Sequence, residues 1–260
     1  GINPLSKFVD KIGMRKELNR LFPTTEYKTL KFLDVQILLC ILFASLAGVN
    51  RISRITNMST DPLIMKLLGL TKAFNKDVIS TRLKNLGQNG AVKLHDYFQK
   101  TVHDFLAQKK KRFITLDVDS TVQSVCGKQE GTGKGYNSSK KGARSYHNLI
   151  GFVSNFKLVV NSWFRDGTAY TANGVCEFTK EIHARLPENI KGVFFRADSG
   201  FFNGALFTQL ENWKWRYLIK VKFRGLKEML EKKEWIKNND GNEYCSFMHQ
   251  CANWTDARQF

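Results

Sequence analysis

Two aspartates far apart in the chain share one local setting. Asp119 follows the apolar run Phe113-Ile114-Thr115-Leu116-Asp117-Val118 and precedes Ser120-Thr121; Asp198 follows Val193-Phe194-Phe195-Arg196-Ala197 and precedes Ser199-Gly200. In each case a strand pattern delivers a carboxylate to its end, beside a small residue and a turn. Mg²⁺ takes oxygen ligands in octahedral geometry and keeps several waters, so a few carboxylates from different elements suffice to hold it. Two such ions, with Mn²⁺ as the alternative metal, can activate an attacking oxygen and stabilise the leaving oxygen of an in-line phosphoryl displacement. If the two strands are neighbours in one sheet, Asp119 and Asp198 converge on such a site. Asp117 lies on the same strand face as Asp119 and is its rival. Asp119 is favoured because it stands where the apolar run gives way to Ser120-Thr121, whereas Asp117 is more deeply flanked and reads as a structural hydrogen-bond acceptor.

The elements that must position these acids follow from periodicity. Residues 1–112 read as helices: Leu5, Phe8, Val9 and Ile12 have helical spacing, with Leu18, Leu21 and Phe22 continuing to Pro23. A long apolar helix spans 32–49, and 50–55 is a short basic turn or helix. Asp61 as N-cap and Pro62 at the first helical position open another. A helix bearing Val78, Ile79, Leu83 and Leu86 ends at Gly87 and Gly90, and an amphipathic helix over 93–108 closes the region. Arg51, Arg54, Lys72, Lys76, Arg82 and Lys84 stud its polar faces, as a DNA-binding lobe would require. From Phe113 the period changes to two. Strands over 113–121 (which 121–125 can continue or turn back from), 147–154 and 158–165, with Asp166-Gly167 as a turn, precede a helix (173–186), the second acid-bearing strand (192–197), a helix (203–211) and a strand (215–221). Hairpin-joined strands followed by alternating helix and strand predict an α/β fold, a mixed sheet with flanking helices. Residues 225–233 read as helical and 235–254 as short β-like pieces.

Composition narrows the partner. The 260-residue chain is 42% hydrophobic with 20 Phe, enough for a sizeable core, and carries a formal charge of +18. Such an excess points to a polyanion, nucleic acid before anionic membrane. The stretch 127–146 concentrates it: Lys128, Lys134, Lys140, Lys141 and Arg144 suit phosphates, and Tyr136 and Tyr146 suit packing on sugar or base. Gly131-Thr132-Gly133-Lys134-Gly135 fails as a nucleotide-binding loop, because Lys128 occupies the place of its first glycine and no Ser or Thr follows Lys134. Trp213, Trp215 and Trp235 read as core or insertion packing. Five cysteines without Cys-x-x-Cys spacing argue against a disulfide framework or a four-cysteine zinc site and for reduced, cytoplasmic thiols. The apolar run 37–49 is too short to span a bilayer, so no membrane partner is expected.

The segments Asp119-Ser120-Thr121, Gly135-Tyr136-Asn137, Lys140-Lys141-Gly142 and Arg196-Ala197-Asp198-Ser199-Gly200-Phe201 resemble the DDE-type transposases of bacterial insertion sequences. The similar branch is group 1, whose catalytic domain is interrupted by a β-rich insertion before its third acid. The resemblance implies a helical N-terminal DNA-binding domain (1–112), a ribonuclease-H-like catalytic core (113–223) and the start of the insertion (224–260). It further implies Asp119 and Asp198 as the first two metal-binding acids of a Mg²⁺-dependent enzyme. That enzyme would cleave double-stranded DNA at transposon terminal repeats and transfer the strand to target DNA, as a homodimer on paired ends in the nucleoid. The family's third acid, a glutamate in a Tyr-x-x-Arg-x-x-x-Glu setting, has no counterpart here. Glu228, Glu231 and Glu234 lie too early, Glu243 stands in a turn-rich stretch, and the chain is expected to stop inside the insertion. The alternative reading is therefore a truncated, catalytically inactive transposase that only binds DNA.

Overall fold

Glycines set the breaks in the N-terminal helices. In the computed structural model the described residues are 1–23, 32–137 and 139–260, and they group into two units, Gly1–Tyr97 and Phe98–Phe260. Apolar spacing builds α1 (Ile2–Lys11) and α2 (Met14–Leu21), but the element expected to run on to Pro23 is cut at Gly13, whose φ of 73° is left-handed. The apolar helix α3 (Asp34–Leu46) is shorter at both ends than the expected 32–49, and α4 (Ile52–Met58) follows. α5 (Pro62–Leu68) begins as its sequence requires, with the Asp61 carboxylate accepting from the N–H groups of Leu63 and Ile64. α6 (Lys76–Ala107) joins the two helices expected on either side of Gly87 and Gly90. Only Gly87 leaves helical geometry (φ 51°, ψ −154°), so α6 is two helices meeting at a kink, the first ending at Gly87 as expected, while Gly90 stays helical. Ile37, Leu39, Cys40 and Phe43 of α3, with Ile64 and Ile79, centre the first unit's core.

The second unit holds the sheet. β1 (Phe113–Ser124), β2 (Ser145–Val153) and β3 (Leu158–Trp163) are successive antiparallel neighbours. After α7 (Val175–Arg185) comes β4 (Gly192–Ala197), parallel to β1 on its free side; after α8 (Gly204–Asn212) comes β5 (Arg216–Ile219), parallel to β4. The spatial order is β3-β2-β1-β4-β5, the mixed sheet that the sequence pattern implies.

Alternation along β1 divides the sheet's faces. Ile114, Leu116 and Val118 enter a core with Phe195 of β4, Phe178 and Ile182 of α7, and Leu206 and Leu210 of α8. α7 approaches so closely that a Cβ on Gly151 would stand 2.8 Å from Ile182 Cδ1. Phe113, Phe194 and Leu218, from the intervening positions, are exposed. Beyond β5 lie α9 (Leu226–Leu230) and four two-residue strands, β6 (Ile236–Lys237), β7 (Glu243–Tyr244), β8 (Met248–His249) and β9 (Arg258–Gln259), in two small sheets. Trp215 is buried as expected, but Trp235 is half exposed and only its indole N–H is engaged, with the Leu230 carbonyl. Asp166-Gly167 forms the expected turn, with the Ala169 N–H on the Asp166 carbonyl at 3.1 Å, and Asp166 is also bridged to Tyr146 at the start of β2.

Candidate active site

The β1–β4 register brings the two aspartates together. Leu116 pairs with Phe195, Asp117 with Arg196 and Val118 with Ala197, so the next residues in step are Asp119 and Asp198. Adjacent strands lie about 4.8 Å apart. Side chains alternate in phase across a parallel ladder: the 116/195 and 118/197 pairs face the core, and 117/196 and 119/198 face outward. Asp198 keeps extended backbone (φ −79°, ψ −178°), which carries the pleat one residue past the end of β4. Both acids are exposed, and with Asp117, Arg196, Leu218 and Lys220 they line one open cleft. Asp119 Oδ1 accepts from the Ser120 N–H at 2.7 Å, and Asp198 Oδ1 from the Gly200 N–H at 2.9 Å.

Asp117 is engaged elsewhere. Arg196 donates from Nε to Oδ1 at 2.6 Å and from a terminal nitrogen to Oδ2 at 2.9 Å, while the Ser154 hydroxyl donates to Oδ2. The Arg196 guanidinium holds this carboxyl below the usual aspartate range, partial burial opposing it and Ser154 adding to it. Ser154 and Lys220 are the participants that the sequence did not announce, since neither belongs to a motif. The donor chemistry offered by Asp119 and Asp198 is all oxygen, which fits a hard divalent cation that retains much of its water. Asp117 shares the cleft but is taken up by Arg196 and Ser154, and among the described residues no group of three Asp, Glu, His or Cys could hold a metal ion.

The basic stretch between β1 and β2 divides by role. Lys128, Lys134, Lys140 and Lys141 are exposed, and Tyr136 is 66% exposed. Arg144 turns back into the loop, donating to the Thr132 hydroxyl at 2.8 Å and to the Thr132 carbonyl. Tyr146 is likewise engaged, its hydroxyl on the Glu130 carbonyl at 2.7 Å and its ring 4.2 Å from that of Phe164. Asn137 anchors the tip, donating to Ser124 at 2.8 Å and accepting from the Ser139 and Lys140 N–H groups. In the first unit Arg51, Arg54, Lys76 and Lys84 are exposed and Lys72 lies 5.7 Å from the Phe32 ring. Arg82 pairs with Asp34 at 3.3 Å and donates to the Phe32 carbonyl. Among the described residues no helix is long and apolar enough to cross a membrane.

The chain belongs to the DDE transposases: the profile of the transposase DDE domain, group 1, matches residues 1–260. No curated protein matches it. Among solved structures it is similar to the piggyBac transposase in a synaptic complex with hairpin DNA, at 17% identity and a TM-score of 0.43, covering 77% of this chain and 45% of that one. It is also similar to the Mos1 strand transfer complex (11% identity, TM-score 0.29, 72% and 58% covered). A third is the Drosophila P element transposase strand transfer complex (15% identity, TM-score 0.26, 69% and 47% covered). The chain thus spans about half the length of these proteins.

Proposed function

We propose that this chain is part of a DNA transposase that hydrolyses phosphodiester bonds at transposon ends and joins the freed 3′-hydroxyl to target DNA. The observation that carries this reading is the β1–β4 register, which sets Asp119 beside Asp198 on one exposed sheet end in a member of the DDE family. On this reading the sheet is of the ribonuclease-H type, residues 113–223 carry the catalytic core, 1–112 form a DNA-binding domain and 224–260 begin a β-rich insertion. The parent element is a bacterial insertion sequence, and the working form is a homodimer on paired ends. Asp119 and Asp198 would hold Mg²⁺ or Mn²⁺, which when bound stabilises charge on the attacking and leaving oxygens. The chain's own residues hold the DNA: Lys128, Lys134, Lys140 and Lys141 neutralise phosphates, and Tyr136 packs on sugar or base. Arg144 serves by shaping the loop from within.

One observation favours a second reading, a chain that binds DNA without cutting it. No group of three acids able to hold a metal ion occurs among the described residues, and the Tyr-x-x-Arg-x-x-x-Glu pattern is absent from the sequence. Supercoiled plasmid incubated with the chain in Mg²⁺ or Mn²⁺ separates the two. Nicking that disappears in Asp119→Ala and Asp198→Ala supports the enzyme; retention of plasmid without nicking supports the binding protein. Undiminished nicking by both variants removes these acids from the mechanism.

A further inference from the structure

We propose that Thr171 is a positioning residue for the acid pair, one side chain that braces the backbone segments just beyond both carboxylates. The inference rests on reading Asp119 and Asp198 as metal ligands. Each acid is tied to the backbone just beyond it, Asp119 to the Ser120 N–H and Asp198 to the Gly200 N–H, at 2.7 and 2.9 Å. Each carboxylate is therefore placed by the backbone just beyond it, which is continuing strand after Asp119, since β1 runs on to Ser124, and a 3-10 turn after Asp198. Thr171 meets both of those segments. Its hydroxyl is 3.3 Å from the Ser120 hydroxyl. Its methyl packs so near Gly200 that a Cβ there would stand 2.7 Å from Thr171 Cγ2 and 3.0 Å from Asp198 Oδ1.

Thr171 is itself held from behind. It belongs to the connection between β3 and α7, which Arg165 ties down with Nε on the His147 carbonyl at 2.9 Å. A terminal nitrogen of the same guanidinium reaches the carbonyls of Tyr170, Thr171 and Asn173 at 3.3, 3.4 and 2.6 Å. His147, 2% exposed, ties it a second time. Its Nδ1 lies 2.5 Å from the Ala169 carbonyl and its Nε2 3.0 Å from the Ser120 hydroxyl. A carbonyl can only accept, so Nδ1 carries a proton. His147 of β2, Ser120 of β1 and Thr171 of the connection thus form one polar network under the sheet end. A polar network at least partly withdrawn from water, as this one is around the buried His147, rigidifies what it joins when its members are paired. Here it joins the β1 strand beyond Asp119 and the turn beyond Asp198, whose separation decides whether two carboxylates can share an ion. Ser120 faces the core side of β1, so the brace acts from behind the acids and is no ligand itself.

The test uses this chain with Mn²⁺ as the probe. Affinity is measured by calorimetry, and protection of the Ser120 and Gly200 amides by hydrogen exchange without metal. Thr171→Val keeps the shape and removes the hydroxyl; Thr171→Ser keeps the hydroxyl. Supporting groups behind metal ligands are typically worth about tenfold to a hundredfold in affinity. Thr171→Val is expected to weaken Mn²⁺ binding by about that factor and to speed exchange at both amides, while Thr171→Ser stays close to the parent and the metal-free melting temperature moves little. Parent-like affinity and parent-like protection in Thr171→Val would overturn the brace. Asp119→Asn and Asp198→Asn identify the other failure: if neither weakens Mn²⁺ binding, the metal-pair reading falls, and the amide exchange alone decides whether Thr171 braces the two segments.

Discussion

Asp117 and Arg196 stand opposite one another in the β1–β4 ladder and are joined by hydrogen bonds of 2.6 and 2.9 Å. The Ser154 hydroxyl completes the carboxylate's partners. Two residues further along the same strand face, Asp119 has no ion-pair partner among the described residues. The contrast separates the two acids by role: one locks neighbouring strands, and the other stays available at the cleft.

Asparagine substitutions should report that division through stability. Asp117→Asn strips Arg196 of its counter-charge and is expected to cost about 0.5–1 kcal/mol, a modest figure because both groups are partly solvated. Asp119→Asn removes a charge that repels Asp198, so the metal-free chain should be as stable as the parent or more so. Denaturant unfolding in EDTA checks both. A larger loss in Asp119→Asn than in Asp117→Asn would contradict the assignment.

Local chemistry is the part of this fold that the sequence displays. The end of β4 is legible because alternation stops where Asp198 stands, and the start of α5 because Asp61-Pro62 caps it within one turn; β1 instead runs on past Asp119 to Ser124 against β2, so Asp119 marks the end of the β1–β4 ladder and not of its own strand. Register is not legible: nothing in residues 113–118 names 192–197 as the parallel neighbour, since pairing is decided by burial of the alternate face against α7 and α8. Gly87 and Gly90 look alike in sequence, yet only Gly87 adopts a backbone conformation that an α-helix excludes. Arg144 shows the limit of reading charge by composition. A cation in a basic loop suggests a phosphate contact, but Thr132, twelve residues back, has taken it. Arg82 is hidden in the same way by Asp34.

The exposed lysines and Arg144 should therefore fail differently. Each phosphate that a variant no longer neutralises lowers the slope of log affinity against log salt by about 0.9 on duplex DNA. Lys128→Gln, Lys134→Gln, Lys140→Gln and Lys141→Gln combined should flatten that slope and leave the melting temperature unchanged. Arg144→Gln should leave most of the slope and loosen the loop, seen as faster proteolysis within 127–144. Equal slope changes from Arg144 and from a single lysine would return Arg144 to the DNA-contacting set.

Gly135 offers a second handle on that loop. A Cβ there would stand 2.0 Å from the Gly167 carbonyl oxygen, and backbone cannot step aside as a side chain can. Gly135→Ala is expected to unseat the loop from the 166–168 segment at a cost of about 1–3 kcal/mol. DNA affinity should fall although no cation is removed. Parent-like affinity with the loop detached would mean that the lysines act without a fixed scaffold.

Acid should release the C-terminal strand before it damages the sheet. Arg258, 7% exposed, donates to both Glu211 carboxylate oxygens at 2.7 and 2.9 Å, and the Tyr217 hydroxyl donates to the first at 2.7 Å. The Arg258 guanidinium holds the Glu211 carboxyl below the usual glutamate range, burial opposing and Tyr217 adding. A carboxyl whose folded pKa lies below its unfolded value of about 4.3 contributes stability above that value and loses it as pH falls through the folded one. Glu211→Gln should therefore be less stable than the parent near neutrality, by about 1–2 kcal/mol because the glutamate is partly solvated. The two unfolding curves should converge as the solution is taken below about pH 4. A difference that persists undiminished into acid would show that Glu211 contributes by shape and packing, with no coupling between its ionisation and folding.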